Sequence, residues 1–247
     1  MKKEKRFTVL VGCDVHIPFQ DNEAVDVWFK FLAYLKPDVV VLHEIMDFYP
    51  LSRFDKDPKR ALTLQEDLDA TYKFLKRVRK VSGKKARLIM LESNHDFRLQ
   101  KYLSTKAPEL SYLRSLQLSS LLRLKELKIE SREEVMIRGV LFKHGSVVRS
   151  KSGYTATSEM ERTGCSGLAG HVHRCAQVYK RLQGGFYTWL ECGCLCDINP
   201  EYVNHPDWQQ GCGVVQFVGQ SKRFYATVVP IIKHQILWGK RTFSARK

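Results

Sequence analysis

Gly170-His171-Val172-His173 closes a series of oxygen- and imidazole-bearing residues that begins with Asp14-Val15-His16. Between them, in chain order, stand Glu44 with Asp47, then Asn94-His95-Asp96, then His144-Gly145. Carboxylate, amide and imidazole donors suit divalent cations of intermediate hardness, and there are enough of them to hold two ions side by side. A cation pair of this kind suits hydrolysis of phosphate esters, because it activates water and stabilises charge on a phosphoryl group. His171 and His173, two apart, share one face of an extended segment, which favours coordination over packing. A lone histidine such as His144 gains meaning only from the constellation. His205 and His234 stand outside every motif and read as ordinary histidines.

The elements that must position these groups are legible in the hydrophobic pattern. Phe7 to Gly12 is an apolar run of strand type ending at the first motif. Val25, Trp28, Phe31, Leu32 and Leu35 recur at helical spacing between Asn22 and Lys36, and Pro37 stops that helix. Asp38 to Leu42 is a buried strand leading into the second motif. A second helix runs from about Ala61 to Val81 and ends at Ser82-Gly83, and Ala86 to Leu91 is the strand before the third motif. Three motifs thus occupy strand-to-loop junctions, where open α/β sheets place ligands. Leu99 to Leu124 reads as one or two helices broken near Pro108, so residues 97–130 are expected to form a helical cap or specificity insertion. Beyond it, Val135 to Lys143, Ser166 to Ala169, Cys175 to Leu182, Phe186 to Cys192, Gly213 to Val218 and Arg223 to Val229 read as strands, interrupted by a helix over Tyr154 to Arg162. Both halves supply motif residues. The expectation is therefore an α/β fold of two packed mixed β-sheets flanked by helices, a four-layer sandwich forming one domain over residues 1–247.

The ordered motifs resemble those of the calcineurin-like metallophosphoesterases: DxH, GDxxD, GNH followed by Asp or Glu, a lone His before Gly, and GHxH. The resemblance implies Asp14, His16 and His173 as ligands of one metal and Asn94, His144 and His171 as ligands of the other, bridged by Glu44. It implies His95 as the acid that protonates the leaving oxygen or orients the phosphate, with Asp47 holding its ring. Manganese is the first expectation for the two divalent ions, with iron, zinc or nickel also compatible. The implied activity is hydrolysis of phosphomonoesters or phosphodiesters by a metal-bridging hydroxide, as in a phosphatase or nuclease. Arg98 and Arg53, which closely follow motif residues, are candidate grips for the substrate phosphate. The chain departs from the pattern in having His43-Glu44 where the family has Gly-Asp, and Ser93 where it has Gly. A side chain at either position would crowd the metals. The competing reading is therefore a metal- or nucleic-acid-binding protein of the same fold in which His43-Glu44 has weakened or abolished catalysis.

Composition limits the remaining classes. The chain has 247 residues and 44% hydrophobic content, enough for a sizeable core. No run approaches the roughly 20 apolar residues that span a bilayer, and Met1 to Arg6 is not a signal-peptide core, so a cytoplasmic protein without a membrane partner is expected. A formal charge of +15 attracts polyanions, with nucleic acid a candidate partner, although the eight basic residues from Lys73 to Arg87 also fit a solvated helix face. Seven cysteines without the spacing of a disulfide framework read as reduced thiols. Cys192, Cys194 and Cys196, two apart, lack the fourth ligand and the CxxC turn of a structural zinc site and read as small buried thiols.

Overall fold

The computed structural model describes residues 6–53, 63–200 and 206–245. Strand β1 (Arg6–Cys13) shows how the sequence makes two cores at once. Its alternating side chains place Val9, Val11 and Cys13 in one apolar cluster and Leu10 in another. Helix α1 (Asn22–Leu35) starts where the Asp21 side chain accepts from the amides of Glu23 and Ala24, and it ends at Lys36 in the left-handed region, just before Pro37. Strand β2 (Val39–His43) is buried throughout. Helix α2 (Leu64–Ser82) opens with a reciprocal cap between Thr63 and Glu66 and stops at Gly83. The start expected for it at Ala61 lies outside the described residues. β3 (Arg87–Leu91) follows, then α3 (Phe97–Lys106), two short 3-10 turns, and α4 (Leu118–Leu121).

β4 (Ile129–Arg132) joins the sheet beside β3, so the boundary expected at residue 130 for a helical insertion falls inside a strand. Leu99, Leu103, Leu122, Leu124 and Leu127 are buried in the same core as α1 and α2, which ties the 97–130 segment to the body of the molecule. The apolar stretch Val135 to Lys143, expected as one strand, is two: β5 (Glu134–Ile137) and β6 (Val140–Lys143). Arg138 and Gly139, both at positive φ, make the two-residue turn between them. Then come α5 (Tyr154–Thr163), β7 (Ser166–Ala169), β8 (Cys175–Leu182), β9 (Gly185–Cys192), β10 (Gly211–Val218) and β11 (Phe224–Pro230). A terminal hairpin, β12 (Gln235–Trp238) with β13 (Arg241–Ser244), was not expected; its Trp238 and Phe243 pack on Phe31 of α1.

Two mixed sheets result, as expected. The first has strand order β11-β10-β1-β2-β3-β4, with β1 to β4 parallel and β10 antiparallel to both of its neighbours, β1 and β11; the second has order β5-β6-β7-β9-β8. Val9, Val11, Val41 and Ile89 of the first sheet meet Phe142, Leu168 and Leu190 of the second. Helices α1 and α2 cover the outer face of the first sheet, while Ala156 and Met160 of α5 pack on Leu141, Ala169 and Trp189 of the second. That is a four-layer arrangement. Among the described residues no helix is long and apolar enough to cross a membrane.

Asp67 on α2 is an exception in this packing, because both of its carboxylate oxygens are buried without a hydrogen-bond partner among the described residues. Burial, reinforced by the charges of Asp47 and Glu66, raises its carboxyl to about 6. Between the usual carboxylate range and pH 6 the folded state therefore holds a proton that the unfolded chain has released. Stability falls as pH rises through that window and stays reduced above it. Asp67→Asn is expected to match the parent at pH 4 and to melt a few degrees higher at pH 8, at about 2–4 °C for each kcal/mol. Melting curves at the two pH values check this, and equal curves at pH 8 would contradict it.

Candidate metal centre

The site lies where β1, β2, β3, β6 and β7 end. β1 stops at Cys13 and β2 at His43, and the loops after them keep running side by side: the Asp14 amide donates to His43 O at 3.1 Å, Val15 N to Glu44 O at 2.9 Å and Ile17 N to Ile45 O at 2.8 Å. Asp14, His16, Glu44, His171 and His173 all have φ between 50° and 68°. Left-handed backbone costs a residue with a side chain on the order of 1–3 kcal/mol, and five such residues converging on one place mark a site that the surrounding fold holds in strain. These turns aim side chains that would otherwise alternate across a strand into one pocket.

Two donor groups form there. In the first, ligand atoms of Asp14, His16, Glu44 and His173 lie within 4.8 Å of one another, with His16 Nε2 3.0 Å from His173 Nε2 and 3.1 Å from Glu44 Oε2. In the second, those of Glu44, His144 and His171 do the same; His144 Nε2 is 3.1 Å from His171 Nδ1 and 2.7 Å from Asn94 Oδ1. Glu44 belongs to both groups, with Oε2 toward His16 and Oε1 3.5 Å from His144 Nε2. All seven residues expected as ligands are thus brought together, and Asp14 also groups with His43 and His144, across the two sets. Asp14 takes a further bond from the His171 amide, at 3.1 and 3.0 Å to its two oxygens. Gly170 makes room for this approach, since a Cβ there would stand 2.3 Å from Asp14 Oδ2 and 2.4 Å from His43 Cε1.

Burial sets the charge states. It holds His144 down to about 4 and keeps His171 and His173 below the usual histidine range, so these rings are neutral and free to donate lone pairs. Burial, with the Glu44 charge next, pushes Asp14 well above the usual carboxylate range. For His16 burial acts downward, but the Glu44 charge and the bond to Asp47 outweigh it and hold the ring well above its ordinary value.

Asp47 stands between two rings. Its Oδ2 is hydrogen-bonded to His16 Nδ1 at 2.9 Å and lies 3.1 Å from His95 Nδ1. Arg98 clasps the same assembly, with Nη1 on Asp47 O at 2.7 Å and Oδ1 at 2.8 Å and Nη2 on His95 Nε2 at 2.8 Å. A guanidinium only donates, so His95 Nε2 accepts. Arg98 therefore faces protein groups, and Arg53 is an exposed residue beyond the second motif. His205 lies outside the described residues, and His234 contacts Asp21 and Glu23 at the start of α1, away from the cluster.

His43 was expected to crowd the metals. Instead, β2 keeps its register through His43, opposite Cys13 on one side and Leu91 on the other, so the strand has not retreated. The buried ring lies beside Gly170 and brings Nδ1 to 3.3 Å from His144 Nδ1. Burial and the neighbouring His144 hold His43 well below the usual histidine range, so it is neutral and can accept the His144 N–H, leaving His144 Nε2 as the ligand atom. Glu159 positions the following loop, where it pairs with Lys143 at 3.2 Å and accepts from the Ser146 amide at 3.2 Å. The signal for His43 was its placement beside Glu44. The signal for Glu159, a buried acid on an amphipathic helix, is not visible in sequence.

Comparison with known proteins fits this architecture. The chain is similar to the Gene 54 protein of Mycobacterium phage L5, at 30% identity over 244 residues covering 91% of this chain and 93% of the relative. This chain belongs to the phage Gene 54 protein family. A second member, from Mycobacterium phage D29, is 28% identical over the same shares. Among solved structures the Gene 54 fold is similar to that of vacuolar protein sorting 29 from Cryptosporidium parvum, with a TM-score of 0.51 at 16% identity, covering 97% of this chain and 98% of that one. The shared architecture is the metallophosphoesterase-type sandwich. No protein-family model matches the chain.

Proposed function

We propose that this Gene 54 family member is a divalent-cation-binding protein of the metallophosphoesterase fold. The observation that carries the reading is the pair of donor groups joined by the buried Glu44. The donors fit the ions. Imidazole nitrogens stand 3.0 and 3.1 Å apart in the two groups, spacings suited to nitrogen ligands about 2.0–2.1 Å from a shared cation, which would displace the proton that His16 holds. Glu44 Oε1 is buried with no hydrogen-bond partner among the described residues. Asp14, His16 and His173 would hold one ion, Asn94, His144 and His171 the other, and Glu44 both. The formal charge of +15 favours a polyanionic partner, for which nucleic acid is our candidate.

Phosphate-ester hydrolysis is the second reading, and His95 with Asp47 is the observation that favours it. Bound cations would supply Lewis-acid polarisation of a phosphoryl oxygen and activation of water. His95 stands beside Asp47, but its Nε2 accepts from Arg98, so this nitrogen has no proton to give a leaving oxygen until Arg98 turns away. That geometry supports binding more directly than turnover.

The two readings part in one experiment. Protein stripped with chelator and reloaded with manganese, cobalt or zinc is expected to retain close to two ions per chain, measured by elemental analysis. Generic aryl phosphate mono- and diesters then test catalysis on the loaded protein. His95→Asn is expected to keep the metals and, on the hydrolytic reading, to lower turnover by about 10² to 10⁴. Asp47→Asn should lower metal content as well, because it also releases His16. A loaded parent that cleaves neither ester removes the hydrolytic reading and leaves the binding one; a parent that retains no metal removes both.

A further inference from the structure

His173 belongs to a further donor set that the two-cation reading does not use. A ring nitrogen of His173 and the sulfurs of Cys194 and Cys196 lie within 4.8 Å of one another, and all three residues are buried. Both thiols are free. Just past the end of β9, Cys194 bridges to Gln210 and Cys196 to Gln20, which fixes both backbones. The backbone of Gln209 ties the set together, since its N–H donates to His173 O at 2.8 Å and its carbonyl accepts from Cys194 N at 3.0 Å. The Trp208 ring meets His173 edge to face at 4.2 Å between centroids. His173 Nδ1 is buried without a hydrogen-bond partner among the described residues, an arrangement that is unfavourable unless something binds there.

We infer that His173, Cys194 and Cys196 form a thiolate–imidazole site for a soft cation, zinc or copper(I), contiguous with the carboxylate–imidazole cluster. Two thiolates and an imidazole select soft ions, whereas Asp14, His16 and Glu44 suit harder ones. His173 is common to both sets, so the identity of the ion decides which set it joins. Binding replaces the two thiol protons, which pass to solvent, and the zinc or copper(I) keeps its oxidation state. Three protein donors leave a fourth position open, unlike the closed shell of a structural zinc site. The linear spacing of the cysteines hid this site, because its third donor lies in the GHxH motif.

Cobalt(II) tests the inference without any substrate. Added to metal-free, reduced protein, it is expected to give a thiolate-to-cobalt charge-transfer band in the near ultraviolet. His171→Ala should retain the band, and His173→Ala should weaken or remove it. Cys194→Ser with Cys196→Ser should abolish it, and each single serine variant should reduce it, so the test stands even if the double variant folds poorly; circular dichroism melts verify folding. Visible cobalt absorption without the charge-transfer band would overturn this site while leaving the two-cation reading intact. A band that persists in the double serine variant would also overturn it, by placing the metal on other cysteines. The band at one ion per chain, unchanged in His171→Ala, would support this site and count against the two-cation reading.

Discussion

Replacing His171 and His173 together by alanine is expected to reduce bound metal from about two ions per chain to essentially none, because each group loses an imidazole. The effect extends to stability. Ions that bind only the folded chain stabilise it by about 2.7 kcal/mol at a hundredfold excess over the dissociation constant. With two such ions, and at about 2–4 °C per kcal/mol, chelation should lower the parent melting temperature by about 11–22 °C and leave the double variant unmoved. His171→Ala alone separates the groups: the Asp14, His16, Glu44 and His173 set is intact, so about one ion should remain. Elemental analysis and melting curves with and without chelator check both statements. Equal metal content in parent and double variant would refute the assignment of these residues as ligands.

Apart from the start of α2, expected about three residues early, the strands and helices carrying the first three motifs sit within a residue or two of their observed ends, because their signals are local. Pro37 stops α1 and Gly83 stops α2, while the apolar run Val39 to Leu42 of the fully buried β2 is typical of a parallel strand covered on both faces. The misses have a different origin. Val135 to Lys143 looks like one strand because Arg138-Gly139 is a minimal turn inside an apolar run, visible only once the chain reverses. β12 and β13 are four residues each, and their folding depends on Trp238 and Phe243 finding Phe31, a contact about 200 residues away in sequence. The site was legible where residue type alone states the chemistry, as for Asp14, His16, His171 and His173. It was illegible where a role depends on what lies across the pocket: Arg98 reaching back to Asp47, His43 meeting His144, and Cys194 meeting His173.

Glu44→Asp is expected to lose metal from both groups, and adding His43→Gly is expected not to restore it. Glu44 reaches His16 with one oxygen and His144 with the other. Shortening the side chain by one methylene withdraws the carboxylate by roughly 1–1.5 Å. The backbone cannot follow, since Glu44 O accepts from Val15 N at 2.9 Å and His16 N at 3.2 Å while β2 is held in register on both sides. On the hydrolytic reading, a misplacement of about 1 Å costs on the order of 10² in rate. Installing a Gly-Asp pair would help only if His43 had displaced the strand, and β2 stays paired in register through His43 on both sides. Its ring instead fills the space beside Gly170 and meets the nitrogen of His144 opposite the ligand nitrogen. His43→Gly alone should therefore weaken the ion held by Asn94, His144 and His171 by about 10- to 100-fold, the usual effect of removing a partner behind a ligand. Zinc titration against a chromophoric chelator measures each variant. A double variant that binds as tightly as the parent, or hydrolyses aryl phosphates faster, would show that His43-Glu44 is a degraded Gly-Asp motif; binding weaker than in either single variant would establish the pair as a working alternative to it.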